Sequence, residues 1–332
     1  MNTTNRKGLI GGLFLLLLFL PASYAGTSAG QIRSVAISPD GKLIAVDFGK
    51  GNSSFIYEIS VDTGVATRLT DAKDGEESSP SFSADGKQIA FTYWPSSDPR
   101  SRIVIVNVDG SNLRQWSPTG SNDASPVFSP DNKTIVFSRF GFFGSYSPIA
   151  QPHPHEWNFY AADLDGGNVR QITNESFYLA SAPSVSPDGK NMVVVVEGLE
   201  TSEHIAVYSL DQPGKPILWL QPHVPHEADH KDPIYNCPNY IPDGKSVLFM
   251  AASNGRRVFD YDVYRMELAT GSVARLTMGN GYATDLRVSA DGKTAVFQKW
   301  QADWRHIPVQ SKLYLLDVQS RKLTPLVVTG LN

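Results

Sequence analysis

The chain has 332 residues, 41% of them hydrophobic and 19% charged, with 27 Gly, 22 Pro, one Cys and a formal net charge of −4. The apolar content excludes a disordered chain, and the lone Cys237 excludes a disulfide-stapled scaffold. Few charges with raised Gly and Pro favour turns and strands, and the acidic balance excludes a sequence-independent nucleic-acid binder.

Arg6 and Lys7 precede the apolar run from Leu9 to Leu20, and the small residues Ser23 and Ala25 follow. A basic start, a short apolar stretch and a small-residue cleavage site describe a secretory signal peptide over residues 1–25. Its removal leaves a more acidic chain over 26–332, expected to be one periplasmic or secreted domain and a monomer. The run is too short to span ~30 Å of hydrocarbon comfortably, and no later run approaches that length. No integral membrane segment is expected after cleavage.

From residue 38 onward one short pattern returns six times, at 38–42, 83–87, 129–133, 186–190, 241–245 and 289–293. It begins as Ser38-Pro39-Asp40-Gly41-Lys42. The later copies keep the Asp and Lys and vary the rest, with Ala84 and Ala290 for Pro, Asn132 for Gly and Ile241 for the leading Ser. Pro presets the first corner of a turn, and Gly or Asn accepts the positive φ that closes it. An apolar strand is expected after each turn, over 43–48, 89–93, 135–140, 192–196, 247–250 and 295–297. A further strand is expected over 55–61, 103–108, 159–164, 205–210, 263–268 and 313–318. Short outer strands such as Thr67-Arg68-Leu69-Thr70 close the units, and segments such as Pro126-Val127-Phe128 open them. Four antiparallel strands repeated six times predict an all-β, six-bladed β-propeller of four-stranded antiparallel blades.

The Ser-Pro-Asp-Gly-Lys turn, the Ile-Ala-Phe-like strand after it and the closing Arg-Leu-Thr resemble the TolB-type propeller repeat. The resemblance runs from Gln31 to about Leu326 and implies the propeller fold without implying a particular function. TolB carries an additional domain before its propeller. Here the first repeat begins about six residues after the expected cleavage site, so that domain has no counterpart in this reading.

In an up-and-down blade with strands A to D counted outward, the A–B turns lie on one face and the B–C and D–A loops on the other. The Asp-centred turns are all A–B and read as structural. The long loops, roughly 141–157, 221–238 and 299–310, lie on the opposite face, where repeat proteins carry their binding side. All seven histidines map to that face. His153 and His155 lie in the first of these loops, and His226 and His230 lie in the second within His226-Glu227-Ala228-Asp229-His230. These four are the candidate metal ligands, suited with nearby carboxylates to Zn²⁺, Mn²⁺ or Fe²⁺, against the plainer reading of polar loops hydrogen-bonded to backbone. Tyr146, Trp157, Tyr235, Arg256, Trp300, Trp304 and Arg305 are the candidate ligand-binding residues, aromatic faces with cations for acidic groups. Arg139 and Arg257 are further candidate anion-binding cations. The motif Gly26-Thr27-Ser28-Ala29-Gly30 matches a nucleophile elbow by pattern but neither follows a strand nor opens a helix.

The leading functional expectation is therefore a non-catalytic binding propeller with no catalytic residue and no required cofactor. It would engage a protein segment or glycan at the long-loop face. The alternative is a metal-dependent lyase or hydrolase acting on an acidic saccharide. The layout resembles that of the oligogalacturonate lyases, which implies a histidine-bound metal polarising a substrate carboxylate.

Overall fold

A computed structural model describes residues 30–51, 53–71, 74–118, 120–145, 152–180, 183–197, 204–220, 222, 224, 235–252, 261–278, 282–300 and 311–331. The described residues contain strands and turns but no helix, and so none long and apolar enough to cross a membrane. The expected signal peptide lies outside them.

The first repeat unit comprises β1 (Gln31–Ile37), β2 (Leu43–Lys50), β3 (Ser53–Ser60) and β4 (Ala66–Arg68). The second comprises β5 (Glu76–Phe82), β6 (Gln88–Trp94), β7 (Arg102–Asn107) and β8 (Arg114–Gln115). The third holds β9 (Asp123–Phe128), β10 (Thr134–Arg139), a hairpin of β11 (Phe142–Gly144) and β12 (His153–His155), then β13 (Asn158–Asp163) and β14 (Arg170–Gln171). The fourth holds β15 (Leu179–Ala180), β16 (Ser184–Val185), β17 (Asn191–Glu197), β18 (His204–Ser209) and β19 (Leu218–Leu220). The fifth is β20 (Tyr235–Tyr240), β21 (Ser246–Ala252), β22 (Tyr261–Glu267) and β23 (Val273–Arg275). The sixth is β24 (Tyr282–Val288), β25 (Thr294–Trp300), β26 (Ser311–Asp317) and β27 (Leu323–Leu326).

Neighbouring strands within each unit pair antiparallel, and the whole is an all-β propeller. The sheets do not divide into six separate four-stranded blades, as the repeat count alone predicts. A parallel pair between Ser54 and Glu76 joins the first two units into one eight-stranded sheet, the fourth unit has five strands, and β11–β12 stands as its own two-stranded sheet. In the fourth unit the inner strand is divided, β15 and β16 both pairing with β17, and β11 pairs with β12 within the connection from β10 to β13.

Why the sheets stack is visible in the side-chain alternation. In β17, Met192, Val194 and Val196 enter the core shared with the third unit, while Val193 and Val195 enter the core shared with the fifth. In β21, Val247, Phe249 and Ala251 face the fourth unit, and Leu248 and Met250 face the sixth. A strand buried on both faces reads as a continuous apolar run, and each such Val or Leu contributes about 1.5–3 kcal/mol by leaving water.

The Asp-centred turns repeat atom for atom. Ser38 Oγ donates to Asp40 Oδ1 at 2.7 Å, Asp40 Oδ1 accepts from Lys42 N at 3.1 Å, and Ser38 Oγ accepts from Leu43 N at 2.9 Å. The second, third, fourth and sixth turns reproduce the set within 0.2 Å or less. In the fifth, Ile241 removes the leading hydroxyl, and Asp243 accepts instead from Lys245 N and Ser246 N at 2.7 and 2.8 Å. The missing serine has in effect moved to the far side of its turn. The sixth turn also returns to the first, Ala290 N donating to Pro39 O at 3.1 Å.

The inner strands carry a feature that the sequence analysis did not anticipate. Ser79, Ser125, Cys237 and Asp285 have φ between 46° and 60°, and each falls at a register shift in its inner strand. A β-bulge explains how Pro80, Pro126 and Pro238 are tolerated inside a strand, since the bulge interrupts the ladder there.

Candidate functional site

The face opposite the Asp-centred turns is built on a recurring fastener. A hydroxyl just past the outer strand accepts an N–H from the start of the third strand: Thr70 from Ile56, Ser117 from Ile103, Thr173 from Phe159 and Thr277 from Val263, at 2.8–3.0 Å. A buried polar partner completes several of these, Glu77 beside Thr70, Asn158 beside Thr173 and Asp262 beside Thr277. The Thr of the closing Arg-Leu-Thr is thus a structural tie. Burial pushes the Glu77 carboxyl up to about 7, against the hydrogen bond from Thr70.

Above this floor, the third unit raises the β11–β12 hairpin, where a plain loop was expected. Phe142 pairs with His155, Phe143 with Pro154 and Gly144 with His153. Residues two apart on a strand share a face, so His153 and His155 project together. Their ring centroids lie 3.9 Å apart, Phe142 stacks on His155 at 4.9 Å, and Tyr178 approaches the two imidazoles at 5.7 and 6.3 Å. Gly141 N donates to His155 O at 2.9 Å, and Glu156, with φ of 59°, turns the chain back into the sheet.

The electrostatics of the cluster favour neutral groups. Burial, and then the neighbouring His153, hold the His155 imidazole below its ordinary pKa. Its Nε2 lies 3.1 Å from Gly144 O, and His153 Nδ1 lies 3.0 Å from Pro154 O. Burial, with the charge of Glu197 adding, raises the Tyr178 phenol, and burial raises the Glu197 carboxyl. Glu197 Oε2 has no hydrogen-bond partner, and Glu197 O accepts from Tyr178 N at 2.8 Å. The cluster therefore presents two imidazoles, that of His155 held toward its neutral form, with a phenol, an aromatic edge and a carboxyl held partly out of water. Phe143, paired with Pro154, alternates to the other side of the hairpin and is 37% exposed.

Several expected site residues sit elsewhere. Trp157 is 1% exposed and packs in the core against Phe140 at 5.2 Å, held by reciprocal backbone bonds with Phe177. Tyr235 is 4% exposed and donates its hydroxyl to Pro222 O at 3.0 Å. Both are core side chains rather than an open aromatic platform, each packed into the apolar cluster between neighbouring units. Arg139 is likewise engaged: it holds the buried Asp123 through Nε at 2.6 Å and a second guanidinium nitrogen at 3.1 Å, and lies over the Tyr160 ring at 4.7 Å. Trp300 is half-buried at the end of β25 and donates Nε1 to Thr284 Oγ1 at 3.2 Å. Tyr146, His226, His230, Arg256, Arg257, Trp304 and Arg305 lie outside the described residues.

Among the described residues no three His, Cys, Asp or Glu side chains gather as a metal cage. His153 and His155 supply two imidazoles, half of a tetrahedral set, each with one ring nitrogen already directed at a backbone carbonyl. Phe142 and Tyr178 belong to the aromatics expected on this face, whereas Glu197 was not expected there. Glu197 carried a signal, a lone carboxylate closing the apolar run Val193-Val194-Val195-Val196.

A family model described as the TolB beta propeller domain matches residues 23–220. An uncharacterized protein of Agrobacterium fabrum is 31% identical over 162 residues, covering 48% of this chain and 52% of that protein. The Tol-Pal system protein TolB of Francisella tularensis is 32% identical over 172 residues, covering 52% of this chain and 36% of that protein. The matched segment thus spans about half or less of these relatives' own length. Among solved structures, TolB from Acinetobacter baumannii superposes with a TM-score of 0.61 at 19% identity, covering 91% of this chain and 64% of that one. An oligogalacturonate lyase from Vibrio parahaemolyticus gives 0.56 at 14% identity, covering 89% and 77%. At these identities the two structures speak to the fold alone.

Proposed function

The chain belongs to the TolB beta-propeller domain family, and on that premise we propose that it is an exported binding propeller, periplasmic or secreted after removal of residues 1–25. The first two of its repeat units are joined through the Ser54–Glu76 pair. The ligand is a protein segment or glycan received on the face of the β11–β12 hairpin. One observation carries this reading: His153, His155, Phe142 and Tyr178 converge on that hairpin. Aromatic rings with adjacent neutral hydrogen-bonding groups suit sugar faces and peptide side chains alike.

The second reading is a metal-dependent lyase or hydrolase of acidic saccharides. The His153–His155 pair favours it, with His226 and His230 as the expected remaining ligands. A bound Mn²⁺ or Zn²⁺ would supply Lewis acidity toward a substrate carboxylate. Within the chain, Gly144 O orients His155 and burial keeps its imidazole neutral.

Calorimetric titration with acidic oligosaccharides, with and without Mn²⁺, separates the two readings when run beside an ultraviolet assay for unsaturated product. The binding reading expects heat without turnover, abolished or weakened at least tenfold by Tyr178→Ala. Metal-dependent turnover lost in His153→Ala would replace it with the second.

A further inference from the structure

The first and last repeat units meet at two levels. On the outer side the tail after β27 crosses to the first unit: Val65 and Thr329 form a parallel bridge, with Ala66 N donating to Thr329 O at 2.8 Å and Thr329 N to Gly64 O at 2.9 Å. These are backbone bonds between groups that do not titrate.

The inner seam is different. There β1 packs beside β24 and β25, and two carboxyls lie at the seam, Asp47 on β2 opposite Ser34 of β1 and Asp285 at the bulge of β24, whose charge reaches Asp47; both are fully buried or nearly so. Ser34 donates its hydroxyl to Asp47 Oδ1, while Asp47 Oδ2 has no partner. Gln298 donates Nε2 to Asp285 Oδ2 at 3.1 Å, and its own Oε1 has no partner either. Both Asp47 and Gln298 are 0% exposed. Two carboxylates and an amide oxygen are all acceptors, and a buried acceptor without a donor is costly.

The charges facing the pair do not fully neutralise it. From β1, Arg33 acts on Asp47 but spends its guanidinium on Glu76 of β5 and on Gly51 O, at 3.2 and 2.9 Å. From β24, Arg287 acts on Asp285 and donates to Leu286 O at 2.8 Å. From β20 comes Cys237, a neutral thiol whose burial pushes it up to about 11. The group that completes the seam is therefore a hydrogen.

We propose that Asp47 and Asp285 form a proton-dependent clasp on the inner seam, closed when the pair carries a proton and loosened when both carboxylates ionise. The outer backbone latch keeps the ring connected in either state, so ionisation slackens the inner edge without unfolding the chain. Burial pushes Asp47 up to about 7, with the charge of Asp285 adding and Ser34 and Arg33 opposing, and pushes Asp285 up to about 6. Folded values above the unfolded carboxylate value mean that the protonated pair's contribution is complete at low pH. It is lost as pH rises through about 6 to 7.

Thermal unfolding midpoints of the full chain between about pH 5 and pH 8 test this, for the wild type, Asp47→Asn and Asp285→Asn, with Glu77→Gln as a control for the other raised carboxyl. Asn keeps the oxygen that accepts from Ser34 and supplies an N–H where a protonated Asp47 supplies O–H. The wild-type midpoint should fall by several degrees across the range, and Asp47→Asn should flatten that fall and exceed the wild type at pH 8. Parallel profiles for wild type and Asp47→Asn would overturn the proposal. So would a rise in the wild-type midpoint at pH 8 on adding calcium as large as that on acidification, since the seam would then take a cation. Should Asp47→Asn not fold, amide exchange of β1 and β24 in the wild type decides instead. Faster exchange at pH 8 than at pH 5, after correction for intrinsic rates, supports the clasp, and equal protection refutes it.

Discussion

His153 and His155 stand on the same side of β12 with ring centroids 3.9 Å apart, and the buried member, His155, directs Nε2 at the Gly144 carbonyl of the facing strand. That contact helps close the hairpin, with the His155 imidazole held toward its neutral form. Two imidazolium rings at this separation would repel, and an imidazolium at His155 would lose solvation.

A pH dependence follows with a definite sign. The folded pKa of His155 lies below the ordinary 6.5, so the unfolded chain binds the proton more readily. The stability this group contributes is complete above 6.5 and is lost as pH falls through 6.5 toward the folded value. Amide exchange of residues 142–145, His153 and His155 should be faster at about pH 5.5 than at pH 7.5 after correction for intrinsic rates. His155→Gln should remove most of the difference.

The Asp-centred turns allow a paired comparison of glycines. Gly189 and Gly292 have nearly the same φ, 74° and 70°, so an added Cβ strains the backbone equally. At Gly189 that Cβ meets nothing within 4 Å, whereas at Gly292 it meets Pro242 Cδ at 2.6 Å in the neighbouring turn. Gly189→Ala should cost about 1 kcal/mol, and Gly292→Ala about 1–3 kcal/mol more. Urea denaturation of the two variants measures the gap.

Asp123 is fully buried and holds the half-exposed Arg139 through two bonds. Asp123→Ala strands that guanidinium against Tyr160 and Phe137, at a cost of about 2–3 kcal/mol, below the range for a fully buried pair because Arg139 reaches water. The double variant Asp123→Ala, Arg139→Met should recover part of the loss. Equal stability of the single and double variants would show that the arginine is indifferent to its partner.

Much of the fold was legible because its signal is local. Each Ser-Pro-Asp-Gly-Lys segment satisfies itself within about six residues, so the chain announces its turns without reference to anything distant. Even the fifth copy, with Ile241 in place of Ser, follows local rules through Ser246. The bulges at Ser79, Ser125, Cys237 and Asp285 were not legible, because positive φ there is imposed by packing around the axis. Trp157 misled for a related reason. An indole beside a His-rich loop looks like a ligand platform, yet Glu156 reverses the chain just before it and sends the ring into the core. His153 and His155 come together because an i, i+2 spacing places both on one face once the segment is extended. Tyr178 and Glu197 reach the cluster from the fourth unit, a contact between repeats that no local pattern records.

Site-specific photocrosslinking tests the central claim most directly. A benzophenone amino acid replaces Phe143 or Tyr178 on the hairpin face, or Lys87 or Lys190 on the turn face, and the chain is irradiated in cells that express it natively. Because benzophenone inserts into C–H bonds, it captures protein and glycan alike. The account predicts a discrete adduct from positions 143 and 178 and none from 87 and 190. Adducts confined to the turn face, or none from any position, would contradict it.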